Sequence, residues 1–347
     1  MVGEEHRTNR LRYLHAFARD SLRASSESSS HGLPMLTYAL RRVLSTIPVM
    51  GIVALLVFSL LYLTPGDPAI VLAGEQASEA DVERLRKAMA LDKPFVERFT
   101  LWVTGTLRGD LGVSVFSNRP VTELIIQRLE PTEALTIGAL SIAVLLAVPL
   151  GTFAAWRAGG LLDRMVMGFA VLGFSIPVFV LGYLLIILFS VTLDLFPVQG
   201  YKPIAHGVGP FLEHLALPAL SLGVVNAALI ARITRASMLE VLNQDYMRTA
   251  RAKGLSTGRI LLGHGLRNAA VPIVTIIGIG FAMLISGVVV TETVFNLPGL
   301  GRLTVDAILR RDYPVIQGVI LVFSLTYVVV NLLVDLSYGL FDPRIRY

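Results

Sequence analysis

Six uncharged apolar stretches constrain this chain more than any other feature. They run over 44–63, 134–156, 165–193, 215–231, 269–291 and 314–334, and none holds Asp, Glu, Lys or Arg. A helix needs roughly 20 apolar residues to cross a bilayer, so most of them match one crossing each. The third is long for one crossing and short for two; it reads as one tilted helix kinked at Pro177. The fourth can borrow Ile233 and Thr234, with Arg232 snorkelling to the interface. Charged residues make up only 16% of the chain, against about 25% in soluble domains. The expected fold class is therefore all-α: a polytopic membrane protein with six transmembrane helices.

Lys and Arg in the short connections set the orientation. One side carries Arg41, Arg42, Arg157, Arg164, Arg232, Arg235, Arg248, Arg251, Lys253, Arg259, Arg267, Arg344 and Arg346; the other carries Lys202, Arg302, Arg310 and Arg311. The imbalance predicts that both termini and the 245–272 connection lie in the cytoplasm. Residues 1–34 are polar, with a serine-rich run at 25–30, and read as a disordered cytoplasmic tail. They contain no apolar core of a signal peptide. The domain reading is then a first helix at 35–63, an external region at 64–133, a helical core at 134–338 and a cytoplasmic tail at 339–347. Within the external region, 64–69 makes a turn-rich exit, 78–91 a charged helix, 107–117 a turn and 119–129 a second helix. Asp306 to Arg311 can form a short interfacial helix after the tight turn at Asn296 and Pro298-Gly299.

Much chemistry is excluded. The chain has no cysteine, which removes disulfides, thiolate metal sites and a cysteine nucleophile. Its six histidines are scattered, with no pair at metal-ligand spacing. Gly258 to Gly265 has the glycine spacing of a phosphate-binding loop but lacks its Lys and Ser/Thr. No cofactor, metal, catalytic set or nucleic-acid partner is expected. Glu133, Glu292 and Asp335 sit just beyond stretch ends, so no mid-membrane charge marks an ion pathway. Asn226, Asn331, Thr275, Gln317 and Ser175 read as helix-to-helix glue, and Gly278, Gly280 and Gly287 as close-packing points.

One segment breaks the apolar pattern. Residues 245–272 read DYMRTARAKGLSTGRILLGHGLRNAAVP, the longest polar, basic run between apolar helices. Two short helices joined at Gly254 are expected, with Asp245 capping the first and Ser256 the second. Some nine helical residues outside the membrane bury too little to stand alone, so a partner packing on them is expected.

Arg248-Thr249-Ala250 and, after three residues, Gly254 resemble the EAA loop of ABC importer permeases. Arg248 stands where Glu is usual and Thr249 where Ala is, but RTARAKGL is the form found in the dipeptide, oligopeptide and nickel branch. The farther part of that loop motif is absent; Leu266-Arg267-Asn268 and Pro272 stand in its place. LDKP at 91–94, GDLGVS at 109–114, ETVFNLPGLGRL at 292–303 and RRDYP at 310–314 resemble the same branch, so the likeness spans about residue 35 to the end. The resemblance implies a type I ABC importer permease fold, with 245–254 as the coupling helix and Asp245, Tyr246, Arg248, Thr249, Ala250, Arg251, Lys253 and Gly254 as the residues that seat in an ATPase. It also implies a second homologous permease, two ATPase subunits, an external solute-binding protein and a peptide substrate, in a bacterial cytoplasmic membrane. Dipeptides or short peptides are the expected cargo; nickel chelates, glutathione and longer oligopeptides share these motifs. Read from the residues without the resemblance, a stand-alone secondary transporter or channel is the alternative.

Overall fold

The computed structural model describes residues 32–63, 69–70, 78–88 and 91–341. The expected tail over 1–31, most of the turn-rich exit at 64–68 and the end at 342–347 lie outside them. The described chain is helical, with one isolated β-bridge, between Val113 and Pro120. Its helices are α1 (Gly32–Leu63), α2 (Glu79–Ala88), α3 (Phe95–Leu107), α4 (Val121–Trp156), α5 (Leu161–Ser175), α6 (Val178–Leu185), α7 (Val208–Leu242), α8 (Asp245–Ala252), α9 (Ala270–Val294), α10 (Leu300–Arg310) and α11 (Tyr313–Phe341). Five are long and apolar enough to cross a membrane, or six if a bent pair counts as one crossing.

That pair is α5 and α6, the latter extended by wide π turns to Thr192. A single kinked helix was expected; instead the two halves meet at 104°. Pro177 is the cause, since its missing N–H and its ring end α5 at Ser175 and restart the chain as the residue before α6. Elsewhere the helices overrun the apolar stretches. α4 is continuous for 36 residues through Pro131 and Pro149 and absorbs the separate helix expected at 119–129. α7 runs 35 residues, about twice the apolar stretch inside it. The first helix begins at Gly32, three residues inside the expected tail. α10 begins at Leu300 rather than at Asp306.

The core is the α4–α7 pair, and small residues make it. Ala139, Ala143, Ala147, Gly151 and Ala155 recur every fourth position on α4 and are all buried. Ala219, Gly223, Ala227 and Ala231 do the same on α7. A Cβ on Gly223 would stand 2.8 Å from the Ala139 carbonyl oxygen, and one on Gly151 2.6 Å from that of Ala231. Such rows let two backbones approach where lipid supplies no hydrophobic drive between helices. α9 packs against the same pair: a Cβ on Gly287 would meet Leu222, and on the α11 side one on Gly278 would meet Val334. The polar glue is present in part: the Thr275 and Tyr338 hydroxyls bond at 2.9 Å between α9 and α11, whereas Asn226 and Ser175 donate to carbonyls of their own helices. Gln317 donates from α11 to the Val57 carbonyl of α1.

Contacts sort the ends of the bundle into two faces. At the basic end Arg42 pairs with Asp335, and Arg235 with Asp163. At the other end, Ser114 donates to Asp312 at 2.5 Å, and Tyr201 and the Ile204 N–H donate to Glu130, both at 3.0 Å. Burial, together with the Glu130 carboxylate, pushes the Tyr201 phenol above its ordinary pKa. α3 lies at this second end, its Phe95, Phe99 and Trp102 rings gathered on Phe58 of α1.

Candidate coupling surface

α8 is eight residues, DYMRTARA, mostly good helix formers, and is too short to persist by itself. Met247 is what holds it: its side chain is fully buried among Met238 and Leu242 of α7, Ala155 of α4, Ile273 of α9, and Ile260 and Leu261 of the chain that follows. Burying one such side chain is worth roughly 1.5–3 kcal/mol. Met247 joins α8 to that buried cluster, and the helix packs on the 259–266 segment, which in turn meets α4 and α7.

The predicted cap at its start is not formed. Gln244 takes the cap position with extended backbone and no side-chain bond, and Asp245 is the first helical residue. There its charge still suits the positive end of the helix dipole. It pairs with Arg248 at 3.5 Å, but both side chains are largely exposed, so the pair adds little. Ser256 likewise does not cap through its side chain: its carbonyl accepts the Ile260 N–H, and wide π turns follow over Arg259–Leu266.

The end of α8 matches expectation. Gly254 has φ +73°, its N–H donates to the Arg251 carbonyl, and the Leu255 N–H donates to the Ala250 carbonyl. These two bonds close a Schellman motif, with partly buried Leu255 packing back on the cluster under α8. No heavy atom lies within 4 Å of where a Gly254 Cβ would stand, so backbone conformation alone selects glycine.

Of the eight residues singled out in the sequence, Asp245, Tyr246, Arg248, Thr249, Arg251, Lys253 and Gly254 are exposed together on and just after α8. Tyr246 leaves 46% of its surface uncovered. Ala250 differs: it is half-buried, three residues from Met247 on the inward side. The result is a small basic surface with an aromatic, backed by a rigid seat.

Two arrangements escaped the sequence reading. The sequence gives Asp163 no signal and marks Arg235 only as a topological charge, yet Asp163 is buried and receives Arg235 Nη2 at 2.7 Å and the Gly159 N–H at 2.9 Å. The pair ties α5 to α7 one turn from Met238. At the opposite end, Glu292 is fully buried. It accepts the Thr132 hydroxyl at 2.6 Å and the Arg302 N–H at 2.9 Å, while Thr132 Oγ1 accepts the Leu300 N–H at 2.7 Å. One carboxylate thus joins α4, α9 and the first turn of α10. The PGLG run is the visible signal: a Cβ on Gly299 would run into the Glu292 carboxylate, and one on Gly301 would meet Val289 Cα at 2.6 Å.

Comparison with known proteins agrees with this architecture. Residues 147–347 match the family described as binding-protein-dependent transport system inner membrane component, and residues 35–136 match its N-terminal companion. A "Probable peptide ABC transporter permease protein y4tP" of Sinorhizobium fredii is 53% identical, covering 90% of this chain and all of its own. A "Glutathione transport system permease protein GsiC" of Pectobacterium atrosepticum is 47% identical, and one of Escherichia coli strain K12 46%, with the same coverage. In three dimensions, a chain of the MetNI methionine ABC transporter in inward-facing form overlays with a TM-score of 0.53 at 19% identity, over 63% of this chain and 96% of that one. That likeness concerns the fold alone. The helical bundle, the basic end with its short pinned helix and these matches place the chain in one family: it belongs to the inner-membrane components of binding-protein-dependent ABC transporters.

Proposed function

We propose that this subunit passes short peptides or peptide-like solutes inward across a bacterial cytoplasmic membrane, and that α8 receives the mechanical stroke of a partner ATPase. Relatives named for peptide and glutathione transport support the cargo class. The observation that carries the coupling role is the seat of α8: Met247 is buried at the junction of α4, α7 and α9 while the basic face stays open. A push on that face passes through the 259–266 segment and the buried cluster under α8 towards α4, α7 and α9. α9 carries it farthest. From Ile273 at the seat to Glu292 at the latch is 19 residues of one helix, about 28 Å at 1.5 Å per residue. The full transporter in this reading contains a second homologous permease, two ATPase subunits and an external solute-binding protein, with both termini of this chain cytoplasmic.

The test reverses the charge of the open face while sparing the seat. Arg248→Glu with Lys253→Glu is expected to keep the chain at parental level in the membrane, to reduce recovery of the ATPase in a pull-down at least tenfold, and to abolish uptake. Parental ATPase recovery and uptake in that double variant would refute the coupling role of α8.

A further inference from the structure

A cavity of about 150 Å³ opens at the loop end, between the 114–117 turn, α4, α10 and the start of α11. Four charged side chains line it: Arg128, Asp306, Arg310 and Asp312. Two are already engaged. Asp312 is buried and accepts the Ser114 hydroxyl and the Val115 N–H, and the Arg310 guanidinium lies 4.0 Å from the centre of the Phe116 ring. The other two are one of each sign. Arg128 and Asp306 are both half-buried, face the same space, and make no ion pair or side-chain hydrogen bond with each other or with any other described residue. They act on each other only through charge across the open space, and partly buried charges held apart in this way leave their hydrogen-bonding groups for something else to meet.

We infer that this cavity is a binding site for a small zwitterion of about dipeptide size, its carboxylate on Arg128 and its ammonium on Asp306. A guanidinium offers a planar fork that fits a carboxylate, and a carboxylate accepts from an ammonium. Size agrees. At about 30 Å³ per water the cavity holds roughly five waters, the space of one small solute and no more. Phe116, Leu124, Leu303 and Val315 supply an apolar wall for whatever joins the two charges. The site gives a solute with free amino and carboxyl ends a holding point on the permease itself. Its existence does not rest on the coupling role of α8, which lies at the other end of the bundle.

Equilibrium dialysis of radiolabelled glycylglycine tests the assignment, using the full chain co-expressed with its partner subunits in lipid nanodiscs, without the binding protein and without ATP. Glycylglycine is expected to bind saturably. N-acetylglycylglycine, which lacks the ammonium, and glycylglycinamide, which lacks the carboxylate, should each compete at least tenfold more weakly. Arg128→Gln should erase the preference for glycylglycine over glycylglycinamide, and Asp306→Asn the preference over N-acetylglycylglycine, because each pairing then lacks its protein partner. The measurement uses neither ATP nor uptake, so its failure would leave the coupling reading untouched, and failure of the coupling reading would leave this site standing. No saturable binding, or equal competition by both blocked forms, would show a water-bridged charge pair only. Binding indifferent to both substitutions would place the ligand elsewhere. If either variant fails to assemble, the competition series on the parent chain decides alone.

Discussion

Gly254 ends α8 at φ +73° with open space where a Cβ would go, so its substitution tests conformation without a clash. An L-residue in that region pays roughly 1–2 kcal/mol, and a negative charge at a helix C-terminus another 0.3–1 kcal/mol or so. Gly254→Asp should therefore loosen the end of α8 without disturbing membrane insertion. Gly254→Asn, which tolerates the left-handed region and carries no charge, should be milder. Immunoblotting of membranes, ATPase pull-down and uptake in the same strains are expected to show normal abundance for both, strong loss of attachment and uptake for Asp, and partial loss for Asn. Equal, parental uptake for Asp would mean that the shape of the turn is irrelevant to coupling. This glycine was legible in the sequence because a positive φ at a helix end is a local demand. The cap is not legible in the same way: it falls on Gln244, whose side chain makes no capping bond, one residue before the Asp245 that local preference favours.

At the scale of elements, the latch between α9 and α10 depends on two close approaches. Gly301→Val would bring a side chain against the backbone of Val289, and overpacking of this kind costs roughly 1–3 kcal/mol. Glu292→Leu would remove the acceptor for Thr132 and the Arg302 N–H, leaving buried donors at about 1–3 kcal/mol each. Both are expected to lower the melting temperature of the purified chain, with Gly258→Ala, a position with open space around it, unchanged. A parental melting temperature for Glu292→Leu would show that the latch adds no stability. The glycines of this loop were readable as a tight turn, but their partner was not: Glu292 is separated from Thr132 by 160 residues, and a charge at the end of an apolar stretch looks like an interface marker. Helix lengths were misjudged for the same reason. Glu130 and Glu133 end the apolar run before α4 ends, yet the helix continues to Val121 because its outer turns bury Val121, Leu124 and Ile125 against α10 and α11. The rows of Ala and Gly on α4 and α7 were open to view at a spacing of four and went unread because each residue alone is unremarkable in an apolar stretch. The break at Pro177 was located correctly, but its angle depends on what packs around each half.

For the molecule as a whole, the contacts fix which segments share an end, while the charge imbalance decides which end is cytoplasmic. The basic end gathers Arg42, Arg235 and the α8 surface; the loop end gathers the 114–117 turn, Glu130, Glu292 and α10. A chain with no cysteine can report this directly. Ser117 lies on the exposed part of the turn beside Phe116, and Ser256 lies exposed just after Gly254, so a thiol at either position meets solvent in the folded chain. Neither hydroxyl is required by the packing that defines its neighbourhood, since Ser114 supplies the bond to Asp312 and Leu255 the contact under α8. In intact cells, Ser117→Cys should react with a membrane-impermeant maleimide, and Ser256→Cys should react only after the membrane is permeabilised. Positive charge is held back from translocation, so thirteen Lys and Arg against four should not be outvoted by the long 64–133 segment, which crosses regardless of its charge. The opposite labelling pattern would place α8 outside the cell, out of reach of any ATPase, and would overturn the coupling role together with the topology.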